Sequence, residues 1–294
     1  MTVTVTVTVV EHELSEPWEA VLCEPDGGSE VGVVVLAGSS GRVLRERARI
    51  LARQGMSALA VRWFGGPGQP AAIREVPLET FTAAVDYLKA RGARRVGVMG
   101  TSKGAEAALL TAIRDPRVDV VVGNSPTALV WAGVGRGPDG SFTPYRSSWS
   151  WRGEPLPFMP YDDSWWDTAP ARPRAIRGLY ELSERTFAEH VDAAAIPVEQ
   201  ARADLLLVAG GDDRMWPSMT YALRLAERRR AAGRTVRVIS HGDAGHGLLF
   251  PGETAGPAST GPVSAEFDYG GSEVADTLLG KQAWPHVLST LRGD

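Results

Sequence analysis

Three side chains of this 294-residue chain could do covalent chemistry together: a serine hydroxyl, an aspartate carboxylate and a histidine imidazole, met in that order. The serine is Ser102, set between glycines in Gly100-Thr101-Ser102-Lys103-Gly104. An apolar run, Arg95-Val96-Gly97-Val98-Met99, leads into it, and a helix-forming run, Ala105 to Ile113, leads out. Strand, sharp turn and helix form the context in which a G-x-S-x-G pattern presents its serine on a strained turn, ready to attack a carbonyl carbon. The bare pattern is common in a chain rich in glycine, serine and alanine, so the flanking elements carry the reading.

A serine hydroxyl is a poor nucleophile at neutral pH and requires a base, and the base requires a group that orients it. Downstream, Leu205-Leu206-Leu207-Val208-Ala209 reads as a buried strand running into Gly210-Gly211-Asp212-Asp213-Arg214-Met215-Trp216-Pro217. Asp212 and Asp213 compete for the acid. Asp213, with a glycine three residues before it and a proline four after, is preferred, which leaves Asp212 to cap a helix or meet backbone amides. The next strand, Thr235-Val236-Arg237-Val238-Ile239, precedes Ser240-His241-Gly242-Asp243-Ala244-Gly245-His246-Gly247. His246, between glycines that permit close approach, is the expected base, and His241 a local hydrogen-bonding residue. His12, His190 and His286 have no convergent partners in sequence and read as surface or packing residues.

Acyl transfer also needs donors for the developing oxyanion, commonly two backbone N–H groups. One would be that of Lys103. The second belongs after an earlier central strand, and Val33-Val34-Val35-Leu36-Ala37 followed by Gly38-Ser39-Ser40-Gly41 offers Ser39 or Ser40. Lys103 beside the serine also suggests a Ser-Lys dyad, but neighbouring positions on a turn point their side chains apart.

To hold these loops together the chain must alternate strands and helices. Strand-like segments fall at Val33 to Leu36, Ser57 to Val61, Val96 to Met99, Val118 to Val122, Leu205 to Val208 and Val236 to Ile239. Helix-like ones fall at Val43 to Arg53, Leu78 to Ala90, Ala105 to Ile113 and Ser218 to Arg230, with a further helical run within Ser272 to Leu291. This alternation predicts an α/β fold with a mostly parallel sheet and helices on both faces, a single domain over 1–294. Thr2 to Val10 and Glu19 to Cys23 are expected to add antiparallel edge strands.

Together, Ser-Lys-Gly-Ala-Glu at 102–106, Asp-Asp-x-x-Trp at 212–216, Ala244-Gly245-His246, Trp151-Arg152-Gly153-Glu154-Pro155 and Ile196-Pro197-Val198-Glu199 resemble a known family. The chain, over about residues 30 to 290, is similar to the C-terminal catalytic domain shared by acyl-CoA thioesterases and bile acid-CoA:amino acid N-acyltransferases, a branch of the α/β-hydrolases close to dienelactone hydrolases. The resemblance implies an α/β-hydrolase fold, Ser102, Asp213 and His246 as a catalytic triad, and thioesters as the favoured substrates, acyl-CoA or a carrier-bound acyl group. Family members acting as acyltransferases carry a cysteine nucleophile, so Ser102 favours hydrolysis over transfer. Alternatives at this point are an oxygen-ester hydrolase of dienelactone type, an acyltransferase or cyclising release enzyme, and a non-catalytic binding protein on a hydrolase scaffold.

Residues 127–197 interrupt the alternation between the strand after Ser102 and the acid, where insertions in this fold commonly form a cap. Five of the nine tryptophans lie there: Trp131, Trp149, Trp151, Trp165 and Trp166. Large rigid aromatics suit an apolar or cyclic acyl group, and serve equally to pack the cap on the body. Among the basic residues, Arg146, Arg152, Arg172, Arg174 and Arg177 could meet CoA or carrier-protein phosphates.

A hydrophobic fraction of 44% and a net charge of −4 are ordinary for a globular protein and point to no nucleic-acid partner. No apolar run approaches the ~20 residues that span a bilayer, and Met1-Thr2-Val3-Thr4-Val5 lacks the features of a signal peptide. The single cysteine, Cys23, reads as a buried packing residue. A cytoplasmic location is expected, with no metal or organic cofactor, because no cluster with ligand spacing occurs.

Overall fold

Residues 7–254 and 266–294 are described by a computed structural model of the chain. The strands are β1 (Val9–Leu14), β2 (Ala20–Pro25), β3 (Val31–Leu36), β4 (Ser57–Val61), β5 (Val76–Pro77), β6 (Arg95–Thr101), β7 (Val120–Asn124), β8 (Trp149–Trp151), β9 (Glu154–Pro155), β10 (Asp204–Gly210) and β11 (Arg237–His241). The helices are α1 (Arg45–Arg53), α2 (Glu79–Ala90), α3 (Lys103–Arg114), α4 (Arg177–Thr186), α5 (Val191–Ala194), α6 (Ser218–Ala231) and α7 (Glu273–Arg292).

Eight strands pair in the order β1-β2-β4-β3-β6-β7-β10-β11. The pairs β1/β2 and β2/β4 are antiparallel, and every pair from β4/β3 to β10/β11 is parallel. The central strands are near-continuous apolar runs because both faces are covered. Val96 and Val98 of β6 join a core formed with α2, α3 and α6, whereas Met99 joins one formed with α1 and α7. Gly97 lies on that second face, where a methyl group would sit 2.5 Å from the Leu291 side chain of α7.

The expected edge strand Thr2 to Val10 falls partly on residues 1–6, outside the described residues. The strand seen begins at Val9 and continues to Leu14, paired throughout with β2. Helix α1 starts at Arg45, two residues later than its sequence suggests, so the preceding loop runs from 37 to 44.

Because β3, β6, β10 and β11 run parallel, the loops that follow them all emerge at one end of the sheet. That end is where open α/β sheets bind ligands. Residues 127–197 lie between β7 and β10; single bridges tie the segment to itself, Leu129 to Ala195, Trp131 to Met159 and Ala132 to Ser147, and two more join it to the rest of the chain, Ile73 to Val134 and Arg174 to Phe267. A small second sheet, in the order β5-β8-β9, links this segment to the stretch before α2.

Candidate active site

Ser102 stands between β6 and α3 with φ 57° and ψ −122°, a left-handed conformation that costs a non-glycine residue strain and turns its side chain out of the sheet. The turn is held by its own backbone. Ser102 N–H donates to the Asn124 carbonyl at 2.9 Å, and Ser102 C=O accepts from Ala105 N–H at 2.9 Å and Glu106 N–H at 3.1 Å. The flanking glycines are required by close approach. A methyl on Gly104 would sit 2.4 Å from the Ala37 carbonyl oxygen, and one on Gly100 would sit 2.0 Å from that of Gly104. Helix α3 therefore begins in contact with the end of β3.

That contact brings the 37–44 loop to the serine. Gly38 is the residue pressed against it, since a methyl there would lie 3.0 Å from Ser102 Cβ and 3.1 Å from the Thr101 carbonyl oxygen. Ser39 and Ser40 follow on an exposed turn. Among the described residues, nothing accepts the Lys103 N–H, which heads α3 beside the serine.

The loops carrying the expected acid and base follow β10 and β11. Asp213 is 1% exposed, and its Oδ1 accepts N–H bonds from Met215 at 2.9 Å and Trp216 at 3.3 Å. Its Oδ2 stands 2.8 Å from His246 Nδ1. A carboxylate can only accept, so Nδ1 carries the proton and Nε2 is left as the basic nitrogen. His246 is itself 7% exposed, lies against the rings of Trp216 and Tyr269, and donates its N–H to the Tyr269 carbonyl at 2.9 Å.

Asp212 faces the other way. Its carboxylate accepts the Gly271 N–H at 2.9 Å and pairs with Arg214, and the first of these contacts holds it below the usual aspartate range. His241 Nδ1 accepts the Asp243 N–H at 3.3 Å. His12 meets Glu24 at 3.2 Å, His190 meets Glu189 at 3.7 Å, and His286 meets Arg237 at 2.6 Å.

The imidazole's hydrogen bond is to Asp213, and none joins it to Ser102 Oγ. The two are joined through consecutive residues at the end of β7. Asn124 takes the Ser102 N–H through its carbonyl, and Ser125 Oγ donates to the His246 carbonyl at 3.2 Å. Ser125 also has positive φ, 45°, so two strained non-glycine residues stand side by side on neighbouring strands. Neither Asn124 nor Ser125 is visible as a site residue in the sequence. Asp276, in the first turn of α7, is a further buried carboxyl that sequence reading missed. It accepts the Gly245 N–H at 2.7 Å, beneath the histidine, and burial pushes its pKa up. An acid in the first turn of a helix was the one signal available for it.

The five tryptophans divide. Trp131 and Trp149 are fully buried and donate their indole N–H groups to Thr127 Oγ1 at 3.1 Å and Glu106 Oε1 at 2.8 Å. They pack the segment onto the body and present no surface to a ligand here. Trp165 is nearly buried against Trp166, and Trp151 is half-buried beneath the Arg152 guanidinium, whereas Trp166 is 45% exposed. Of the arginines, Arg146, Arg172 and Arg177 pair with Glu75, Glu266 and Glu181.

Residues 76–292 match the protein family described as BAAT / Acyl-CoA thioester hydrolase C terminal. The chain belongs to this family. Among its relatives, the mouse protein "Acyl-coenzyme A thioesterase 2, mitochondrial" is 26% identical over 274 residues, covering 90% of this chain and 55% of that protein. Human "Acyl-coenzyme A thioesterase 6" is 27% identical, covering 91% and 61%, and mouse "Acyl-coenzyme A amino acid N-acyltransferase 1" is 25% identical, covering 93% and 62%. The chain thus spans a little over half the length of these relatives. Among solved structures, a putative dienelactone hydrolase from Klebsiella pneumoniae superposes with a TM-score of 0.58 at 15% identity, covering 99% of this chain and all of that one. A dienelactone hydrolase-like promiscuous phosphotriesterase from metagenomic libraries gives 0.54 at 15%, covering 98% and 99%. The fold of this family member is accordingly the α/β-hydrolase fold. No helix among its described residues is long and apolar enough to cross a membrane.

Proposed function

We propose that this chain is a serine hydrolase of acyl thioesters, working through Ser102, His246 and Asp213. The observation that carries the reading is the 2.8 Å bond from His246 Nδ1 to a buried, otherwise amide-bonded Asp213, at the same sheet end as a serine held in a strained turn. Membership of a family described by acyl-CoA thioester hydrolysis supports the thioester as substrate.

In the proposed reaction, His246 Nε2 takes the Ser102 proton as Oγ attacks the thioester carbonyl carbon. The N–H of Lys103 and that of Ser39 or Ser40 donate to the oxyanion. Collapse breaks the carbon–sulfur bond, and the departing thiolate takes the proton from the imidazolium. Water then attacks the acyl ester, gives a proton to His246, and the acid leaves as Ser102 recovers its hydrogen. Asp213 holds the imidazole in its tautomer throughout. Residues 127–197 stand as the roof under which the acyl group lies, with Trp151, Trp165 and Trp166 as the tryptophans having surface to offer it.

The test is intact mass after a fluorophosphonate probe, with turnover of a panel of acyl-CoA thioesters and matched aryl esters. One adduct on wild type, none on Ser102→Ala, and faster thioester than ester turnover are expected. An unlabelled, inactive wild type overturns the reading.

A further inference from the structure

Arg47 sits in the first turn of α1, directly after the loop that passes Ser102, and is not among the residues assigned a chemical role above. Its side chain and that of Glu253 are 8% and 9% exposed. Nε and Nη2 reach both carboxylate oxygens of Glu253, at 2.6 and 3.0 Å, and Nη1 donates to Thr101 Oγ1 at 2.8 Å. Thr101 immediately precedes the serine. Glu253 Oε2 also accepts the Phe250 N–H at 2.9 Å, and the guanidinium lies over the Phe250 ring at 5.1 Å.

One planar group therefore joins three separate stretches: the helix behind the 37–44 loop, the serine turn, and the histidine loop at Glu253. At its near end that loop is held by Asp276 through Gly245 N–H. His246 lies between the two attachments. A buried ion pair is a poor source of stability, since apolar side chains of similar volume often do as well or better. What a bidentate guanidinium supplies that an apolar contact does not is direction, fixing two partners at set angles as well as set distances.

We propose that Arg47 is a positioning residue that holds the serine turn and the histidine loop in register through Thr101 and Glu253. The proposal rests on the hydrolase reading above. Displacing nucleophile and base by a fraction of an ångström lowers the rate of attack while leaving the remote contacts of the substrate in place, so the cost falls on kcat and on the reactivity of Ser102.

Thr101→Val, Arg47→Lys and the neutral double variant Arg47→Gln/Glu253→Gln test it. The double variant leaves no uncompensated buried charge, and Thr101→Val changes no charge at all. For each, the rate of fluorophosphonate addition to Ser102, kcat and KM for an acyl-CoA, and Tm are measured. The expected result is a fall of about 10-fold in phosphonylation and kcat for Thr101→Val, and about 100-fold for the double variant, with KM within about two-fold. Arg47→Lys, which keeps the charge and loses the fork, falls with them. Lowered Tm with wild-type phosphonylation and kcat well below Tm would make the cluster structural and overturn the proposal. A wild type that neither labels nor turns over removes the hydrolase reading and the proposal together, whereas active wild type with unaltered variants removes the proposal alone.

Discussion

Lys103 and Glu106 form an ion pair, Nζ to Oε2 at 2.9 Å, in which neither side chain reaches solvent. Both direct their remaining bonds to the same segment: Glu106 Oε1 accepts the Trp131 N–H and the Trp149 indole, and Lys103 Nζ donates to Ser148 Oγ at 2.7 Å. The first turn of the serine helix is thus the anchor for residues 131–149. Burial lowers the pKa of Lys103 and raises that of Glu106, and each opposes the shift of the other.

Removing one partner leaves the other charge stranded. Lys103→Met should destabilise by about 3–5 kcal/mol, and Lys103→Met/Glu106→Gln should recover part of that loss. The single variant should also acquire a pH dependence. A carboxyl whose folded pKa lies above its unfolded value favours the folded state at low pH and loses that contribution as pH rises through the folded pKa. Its Tm should therefore fall as pH rises above the ordinary carboxylate range, as calorimetry would show; a flat profile would mean that Glu106 finds another partner.

Asp213→Asn should keep the fold and reverse the imidazole tautomer, lowering kcat by about 10⁴. Asp212→Asn, which touches Gly271 and Arg214 and not the histidine, should lower it far less. Steady-state thioester kinetics on the pair would reverse the assignment if the ordering came out the other way.

Gly38→Ala inserts a methyl 3.0 Å from Ser102 Cβ. The turn at 39–40 is exposed and free to shift outward, so stability should change little while kcat falls by about 10-fold or more from displaced oxyanion donors. Equal losses in Tm and in rate would argue that the loop is part of the core.

Trp149→Ala should cost about 3–5 kcal/mol and take activity with it through unfolding. Trp166→Ala, at an exposed position, should change stability by less than about 0.5 kcal/mol. Its effect should appear in KM across a series of acyl chain lengths, and an unchanged series would remove Trp166 from the acyl site.

Cys23 lies fully buried on β2, and burial pushes its thiol up to about 12. Dithionitrobenzoate at pH 8 should leave the folded protein unmodified and titrate one thiol in denaturant. Rapid reaction of the native protein would show that β2 opens.

The pairing of Asp213 with His246 and the strained turn at Ser102 were legible because each stands on a short local pattern following an apolar strand, and strand ends are where such patterns acquire meaning. Ser57–Val61 was readable to the residue, being a buried run bounded by a turn. What failed to show shares one property. Arg47 meets Glu253, Ser125 meets His246, and Asp276 supports Gly245, contacts whose partners lie about 30 to 200 residues apart with no local signal at either end. The tryptophans were legible as a cluster but not as a division into buried and exposed, since one-letter composition says nothing of which face an irregular segment turns inward. β5, β8 and β9 are two or three residues long, too short for any alternation to register.

The second sheet, in which Val76–Pro77 pairs with Trp149–Ser150, has a consequence for how a substrate gets in. A covering that hangs from one hinge can swing, but one sewn to the body along several seams behaves as part of a mould. Admission to such a mould is decided by the contour it already has, so discrimination between acyl groups would come from fit at the rim and would show as plain hyperbolic saturation without a lag. Loosening one seam, as by Pro77→Gly, should widen the range of chains accepted before it slows the chemistry performed on them.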